Sequence, residues 1–598
     1  MNYSLTWNLD NIFPNGSQSP ELAAKLAEIK ELLITYKETV KGWQAPADIS
    51  GTEEIVDILK QTEVLQKAIS QVAAFLECAT AQNVHDTKAD QLNGEVYSLI
   101  SEFETVFTGF TIKLVQINES VWEELIKQPQ IAEIAFYINE QRERGKEQLS
   151  EAEEALINAL RVDGYVGWST HYDTLVKMIE IPYTNDDGET VLLSAGQAFN
   201  KMHDDPDPEV RAELFKKWEK AWGGKAPLFA DTINHLGGFR LANYKMHGVE
   251  DFMKEPLQYN RMKKETLDVM WDVIAKNKQP FVDFLNRKAK LLGKDKLSWV
   301  DVDAPIVTTE PKHYTFDEGA KFIIENFAKF GDELPKFAQD ASENAWIEAE
   351  DRPGKRPGGF CTSFPETNES RIFMTYSGSP SGVATLAHEL GHAFHSHVLN
   401  DKPYFNTEYA MNVAETASTF AEQICSDASV RAAKSNEEKI TLLDTKILNA
   451  IAMFMNIHAR FIFESNFYTE RKNGLVSVER INEMMESAQK EAYQDALSEY
   501  HPTFWASKLH FYIAEVPFYN FPYTFGYLFS LGIYHLSLKE GKSFEKKYIA
   551  LLQDTAAMTT EELAIKHLGV DLTKPDFWQA GVDLAIADVK EFLELTKE

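Results

Sequence analysis

The stretch Ser379–Ser426 constrains this chain more than any other, because it reads as two helices that each carry an apolar back and a polar front. In the first, a turn of about 100° per residue puts Val383, Ala387, Leu390 and Phe394 in one narrow stripe, the face that packs on a core. His388, His392 and His395 fall on nearly the opposite face. His388 and His392 are one turn apart and point the same way, so both imidazoles can reach one metal ion. A helix built like this lines a polar cleft rather than filling a core. Glu389 flanks the histidine face, where a carboxylate can hold a water without being a ligand itself.

His388-Glu389-Leu390-Gly391-His392 is thus an HExxH pattern, the zinc-peptidase arrangement. The pentapeptide also arises by chance in roughly a few per cent of chains this long, so its meaning depends on the residues downstream of it. Zinc needs a third protein ligand and one open position for water. Asp401, Glu408, Glu415 and Glu422 are the acidic candidates on that side. Asp401 and Glu408 flank Pro403 in a turn-like segment that lacks a rigid support. Glu415 lies in the second helix, roughly residues 410–426, where Val413, Ala417, Phe420 and Ile424 form the back and Glu415, Ser418, Thr419 and Glu422 the front. That geometry favours Glu415 as third ligand, with Glu422 a partner for a ligand histidine.

The two blocks His388–His395 and Glu415–Glu422 resemble the thimet-oligopeptidase-like zinc metallopeptidases, most closely the oligoendopeptidase F branch. The resemblance extends to Gly358–Thr362, Arg371–Tyr376, His510–Tyr527, Leu5–Asp10 and the 192–222 region, and so covers most of the chain. It implies a mostly α, two-lobed helical metallopeptidase with a small β element beside the HExxH helix and a central substrate channel. It also implies one Zn2+ per chain on His388, His392 and Glu415, and oligopeptide substrates.

The rest of the chain fits a large soluble enzyme. Its 598 residues allow a sizeable core, with 44% hydrophobic and 25% charged residues. A net charge of −32 argues against nucleic acid and anionic membrane surfaces. Cys78, Cys361 and Cys425 are too few and scattered for a disulfide framework or a thiolate cluster. With no signal-like amino terminus in Met1–Gln18, a reducing, cytoplasmic setting is expected. Pro517, Asn520 and Pro522 break the apolar run His510–Leu538, which reads as a loop and then a buried helix from near Thr524.

Helical periodicity fills Ser19–Trp168, and residues 177–193 read as a β-hairpin around Asn185-Asp186-Asp187-Gly188. Asp207-Pro208 signals a new helix, giving an expected amino-terminal helical lobe over 1–200 and a catalytic region over 201–598. Helices resume to about Lys336 with a break at Leu297–Pro311. Two short strands are expected at Phe360–Ser363 and Arg371–Thr375, where an exposed edge can hold an extended peptide backbone. Ile440–Lys472 reads as one long helix.

Peptide hydrolysis needs hydrogen-bond donors for the oxyanion besides the metal. His510, Tyr512, Tyr519, Tyr523 and Tyr527 crowd one loop, although tyrosines also serve simply as packing. In the families resembled, a loop of the carboxy-terminal half supplies a histidine and tyrosines for this. Gly526-Tyr527-Leu528 is the best local match, making Tyr527 the first choice and His510 the second, ahead of Tyr519 and Tyr523. The expected reaction is internal cleavage of short peptides with Glu389 as general base. Two other readings compete: a helical HExxH carboxypeptidase and a catalytically silent peptide-binding scaffold. Nothing in the sequence speaks to oligomeric state.

Overall fold

The structure is a computed structural model that describes residues 3–185, 187–306 and 312–597. It is built almost wholly from helices, with five short strands among the described residues. Asp186, in the expected hairpin turn, and Pro311, at the end of the expected break, lie outside the described residues.

The chain forms two compact units, and neither is one continuous stretch. Unit 1 comprises residues 1–148, 311–428 and 536–570, and unit 2 residues 149–310, 429–535 and 571–598. The boundary expected near residue 200 falls inside unit 2, within the helix Ala195–Asp204. Asp207-Pro208 does start a helix, Pro208–Gly223, and the Asp207 side chain accepts from the Glu209 amide. A capping signal marks where a helix begins, and long-range packing decides to which body that helix belongs.

In unit 1 the helices Pro20–Gly42, Thr52–Gln82 and Thr87–Val115 pack together. Ser19 caps the first of them by accepting from the Leu22 amide, with Pro20 at its first position. Leu22, Leu26, Ile29 and Leu33 recur at helical spacing and are all buried, which is why this helix has an inner face. Their cluster continues into the β element through Phe364 and Phe373, so the amino-terminal helices brace the strands.

In unit 2 the hairpin forms as expected, β1 (Glu180–Thr184) pairing antiparallel with β2 (Thr190–Ser194). Gly188, at φ +78°, takes the left-handed position in the turn. The long helix runs from Asn436 to Arg471 with a π-helical turn at Ala452–Asn456. By length and mean hydropathy it is apolar enough to cross a membrane. Here it packs on the helices Val478–Ala492 and Pro575–Leu595. The helix expected from near Thr524 begins at Phe521 and ends at Glu540.

The other sheet, in unit 1, holds β3 (Ile347–Glu348), β4 (Phe360–Phe364) and β5 (Glu369–Phe373) in the order β3-β5-β4. β4 pairs antiparallel with β5 alone, which leaves it at the edge of the sheet. The HExxH helix packs across β4 and β5.

Candidate metal centre and the carboxy-terminal loop

The histidine helix spans Pro380–Leu399, capped by the Ser379 hydroxyl, which accepts from the Gly382 amide. Its apolar stripe packs as the wheel requires, with Val383, Ala387, Leu390 and Phe394 all at most 3% exposed. The glutamate helix spans Met411–Ala432, and Val413, Ala417, Phe420 and Ile424 are buried behind it. The two helices touch backbone to backbone at Gly391. A methyl group there would lie 2.4 Å from the Ala417 carbonyl oxygen and 2.6 Å from Ser418 Cα. Only a residue without Cβ allows this approach, and it carries Glu415 up to the histidines.

His388, His392 and Glu415 each offer one donor atom to a cluster within 4.8 Å. Glu415 Oε2 stands 3.3 Å from His388 Nε2 and 3.5 Å from His392 Nε2. Around a tetrahedral zinc with bonds of about 2.1 Å, donor atoms lie about 3.4 Å apart, so the set fits that ion. Two of the ligands are also held from behind. His388 Nδ1 is 3.1 Å from Glu422 Oε2, which turns Nε2 toward the centre. The Ser418 hydroxyl donates to Glu415 Oε2 at 2.7 Å. Burial opposes charge on His388, yet the Glu415 and Glu422 carboxylates outweigh it and hold the imidazole well above its ordinary range. Glu415 is correspondingly held low against its own burial by the two histidines. A metal must therefore displace a proton from His388 to bind.

Glu389 is 7% exposed, and its Oε2 has no hydrogen-bond partner in the protein. A buried, unsatisfied carboxylate oxygen beside a metal-type cluster is a place for a water. Burial pushes its carboxyl up to about 7. Gly359, the residue just before β4, adjoins it: a Cβ there would sit 3.4 Å from Glu389 Oε1.

His395 departs from the expectation of three histidines on one polar front. It is fully buried. Its Nε2 lies 2.9 Å from Thr555 Oγ1, and its ring stacks on Tyr409 at 4.1 Å. Helix Phe544–Asp554 packs over this part of the histidine helix and closes the front one turn beyond His392. Burial lowers the His395 pKa to about 3, so the imidazole is neutral and structural. Glu408 is exposed, and neither it nor Asp401 joins the donor cluster.

The carboxy-terminal loop belongs to unit 2. His510, Tyr519 and Tyr523 form a ring cluster there, with centroid separations of 5.4 Å, 6.0 Å and 5.9 Å. All three are half-buried, and His510 Nδ1 has no hydrogen-bond partner. Burial, then the nearby Arg460 and Lys508, lower the His510 pKa to about 4. Tyr527 is placed differently: it is 5% exposed, edge-on to Phe454 at 5.7 Å inside the helix core. Tyr512 is fully buried and stacked on Tyr172.

Residues that the motif reading passed over fix this loop. Arg240 donates to the carbonyls of Ile513 (3.2 Å) and Ala514 (3.1 Å). Glu464 accepts from the Phe518 amide at 3.2 Å, where Phe518 sits at φ +54°. Arg460 donates to Asn520 Oδ1 at 3.0 Å. The signal was present in the sequence, since Arg460 and Glu464 are charges four apart in an otherwise apolar stretch of helix.

Residues 201–584 match the model of "Peptidase family M3", and residues 113–180 match that of "Oligopeptidase F". Oligopeptidase PepF of Bacillus subtilis is 22% identical, over 99% of this chain and 87% of its own. An oligoendopeptidase F homolog of Lactococcus lactis is 21% identical over 99% of this chain and 98% of its own. Among solved structures, oligoendopeptidase-F from Enterococcus faecium superposes with a TM-score of 0.71 at 19% identity, covering 96% of this chain and 98% of that one.

Proposed function

The chain belongs to peptidase family M3, and on that premise we propose that it is a zinc metallo-endopeptidase that cuts internal bonds of short oligopeptides in the cytoplasm. One observation carries the reading. The donor atoms of His388, His392 and Glu415 converge within 4.8 Å, beside a buried Glu389 whose Oε2 has no protein partner.

His388, His392 and Glu415 would hold the zinc and leave one position open. When bound there, zinc supplies Lewis acidity toward the substrate carbonyl and toward a water. The remaining work falls to the chain. Glu389 takes the proton of the attacking water and returns it to the departing amine, a role its buried position beside the donor cluster suits. The free edge of β4, which begins beside Glu389, offers hydrogen bonds to an extended peptide whatever its side chains. For the oxyanion we assign donors from the His510, Tyr519 and Tyr523 cluster. These rings are half-buried, whereas the burial of Tyr527 suits packing.

The test is a peptide blocked at both ends, digested by the wild type and by Glu389→Gln, with mass spectrometry of products and zinc analysis of both proteins. The wild type should cut an internal bond. The variant should keep zinc and lose activity by at least about 10²-fold, because an amide cannot accept the proton. A carboxypeptidase would leave the blocked peptide whole, and a silent scaffold would bind it without turnover. Either result refutes the proposal, as does a metal-free Glu389→Gln protein.

A further inference from the structure

Unit 2 contains a cavity of about 290 Å³ whose lining carries two cations and one carboxylate. Aromatic rings form much of its wall, among them Phe199, Trp218, Trp299 and Phe504, and Arg460 and Lys508 also line it. Both cations lie over the Phe504 ring, Arg460 at 5.2 Å and Lys508 at 4.9 Å from its centroid. Lys508 also sits 5.0 Å from the Phe199 centroid.

Neither cation has a carboxylate within ion-pair distance among the described residues. Arg460 Nε donates to Asn456 Oδ1 at 2.8 Å and Nη1 donates to Asn520 Oδ1 at 3.0 Å, both neutral amides. The Lys508 ammonium makes no hydrogen bond and no ion pair with any described residue. Asp303 is the one carboxylate among the lining residues. It is half exposed, lies 3.9 Å from His203, and attracts Lys508 through space without forming an ion pair with it. Two like charges held together on aromatic faces, away from bulk water, repel one another, and one half-exposed carboxylate out of ion-pair range offsets them only in part. Burial, then Arg460, brings the Lys508 pKa down to about 7 against the opposing pull of Asp303. The whole chain carries a net charge of −32, so a cation pair inside it that faces a single carboxylate is a local departure that an anion would relieve.

The size and walls of the cavity narrow the anion. The volume suits about one amino-acid residue, at the small end of ligand pockets. Its aromatic walls suit an apolar side chain, and a guanidinium beside an ammonium suits a carboxylate. The cavity also shares its residues with the carboxy-terminal loop. Lys508 precedes His510 by two positions, and Arg460 grips Asn520, the neighbour of Tyr519.

We propose that this cavity is a carboxylate subsite, which takes the carboxy-terminal α-carboxylate of a peptide on Arg460 and Lys508 and lays the terminal side chain against the aromatic wall. The peptide identity of the ligand rests on the peptidase reading; the carboxylate chemistry rests on the cavity alone.

Calorimetric titration tests this with the full chain carrying Glu389→Gln, so that no probe is consumed. The probes are acetyl-Gly-Phe as free acid, acetyl-Gly-Phe-amide, and acetyl-Gly-Glu-amide. The free acid should bind about tenfold or more tightly than its amide. Adding Lys508→Met should shrink that ratio to within about twofold, while Lys508→Arg, which keeps the charge, should preserve it. Equal affinity for acid and amide overturns the proposal, and so does a preference that survives Lys508→Met. If acetyl-Gly-Glu-amide matches the free acid, the site reads an acidic side chain, and the α-carboxylate assignment fails. Failure of the peptidase reading would appear elsewhere, as absent turnover of the blocked peptide by the wild type.

Discussion

Replacing Gly391 by alanine should cost this protein its metal before it costs its fold. The added methyl would meet the Ala417 carbonyl oxygen at 2.4 Å and Ser418 Cα at 2.6 Å, both backbone atoms that cannot swing aside. Bringing the shorter contact to an ordinary 3.4 Å requires the two helices to part by about 1 Å. Overpacking of this kind costs about 1–3 kcal/mol, which a chain of this size can absorb as a lower melting temperature. The donor set cannot absorb it. Glu415 Oε2 now lies 3.3 Å and 3.5 Å from the two histidine nitrogens, and metal sites tolerate about 0.2 Å in ligand distance. Moving Glu415 by 1 Å leaves in effect a two-histidine site. Zinc affinity should then fall by at least about 100-fold, since even disturbing a group behind a ligand costs about 10–100-fold. Competition with a chromogenic chelator measures the affinity, and circular dichroism of the metal-free proteins measures the stability. Zinc affinity within a few-fold of wild type in Gly391→Ala would refute the claim that this contact sets the position of Glu415.

Two further substitutions test the site from other sides. Glu415→Ala should remove bound zinc and abolish turnover while the exposed Glu408→Ala does neither, and metal analysis showing zinc loss from the Glu408 variant alone would reverse the ligand choice. Among the tyrosines, Tyr519→Phe or Tyr523→Phe should lower kcat by about 10²–10³-fold with zinc retained. Tyr527→Phe should leave kcat within a few-fold and act on thermal stability; the opposite pattern in steady-state kinetics would return the oxyanion role to Tyr527.

Local periodicity determined much of this protein. The apolar stripes of residues 383–394 and 413–424, the cap at Asp207, the hairpin at 180–194 and the strands on either side of residues 365–368 are short-range patterns, and the folded chain shows each of them. The pairing of His388 and His392 is equally local, because one helical turn sets it. Tertiary structure decided what helical phase cannot. His395 shares the wheel position of the ligand histidines, yet helix Phe544–Asp554, some 150 residues onward in sequence, covers it and makes it a buried stacking partner of Tyr409. Tyr527 and Tyr523 stand one turn apart on the same helix, but Phe454 on a distant segment takes one of them into the core. The two units are each assembled from three separate stretches of chain, so no single break in composition could mark their limits. Secondary structure follows from the free energy of neighbouring residues, whereas burial is conferred by whatever distant surface arrives to exclude water.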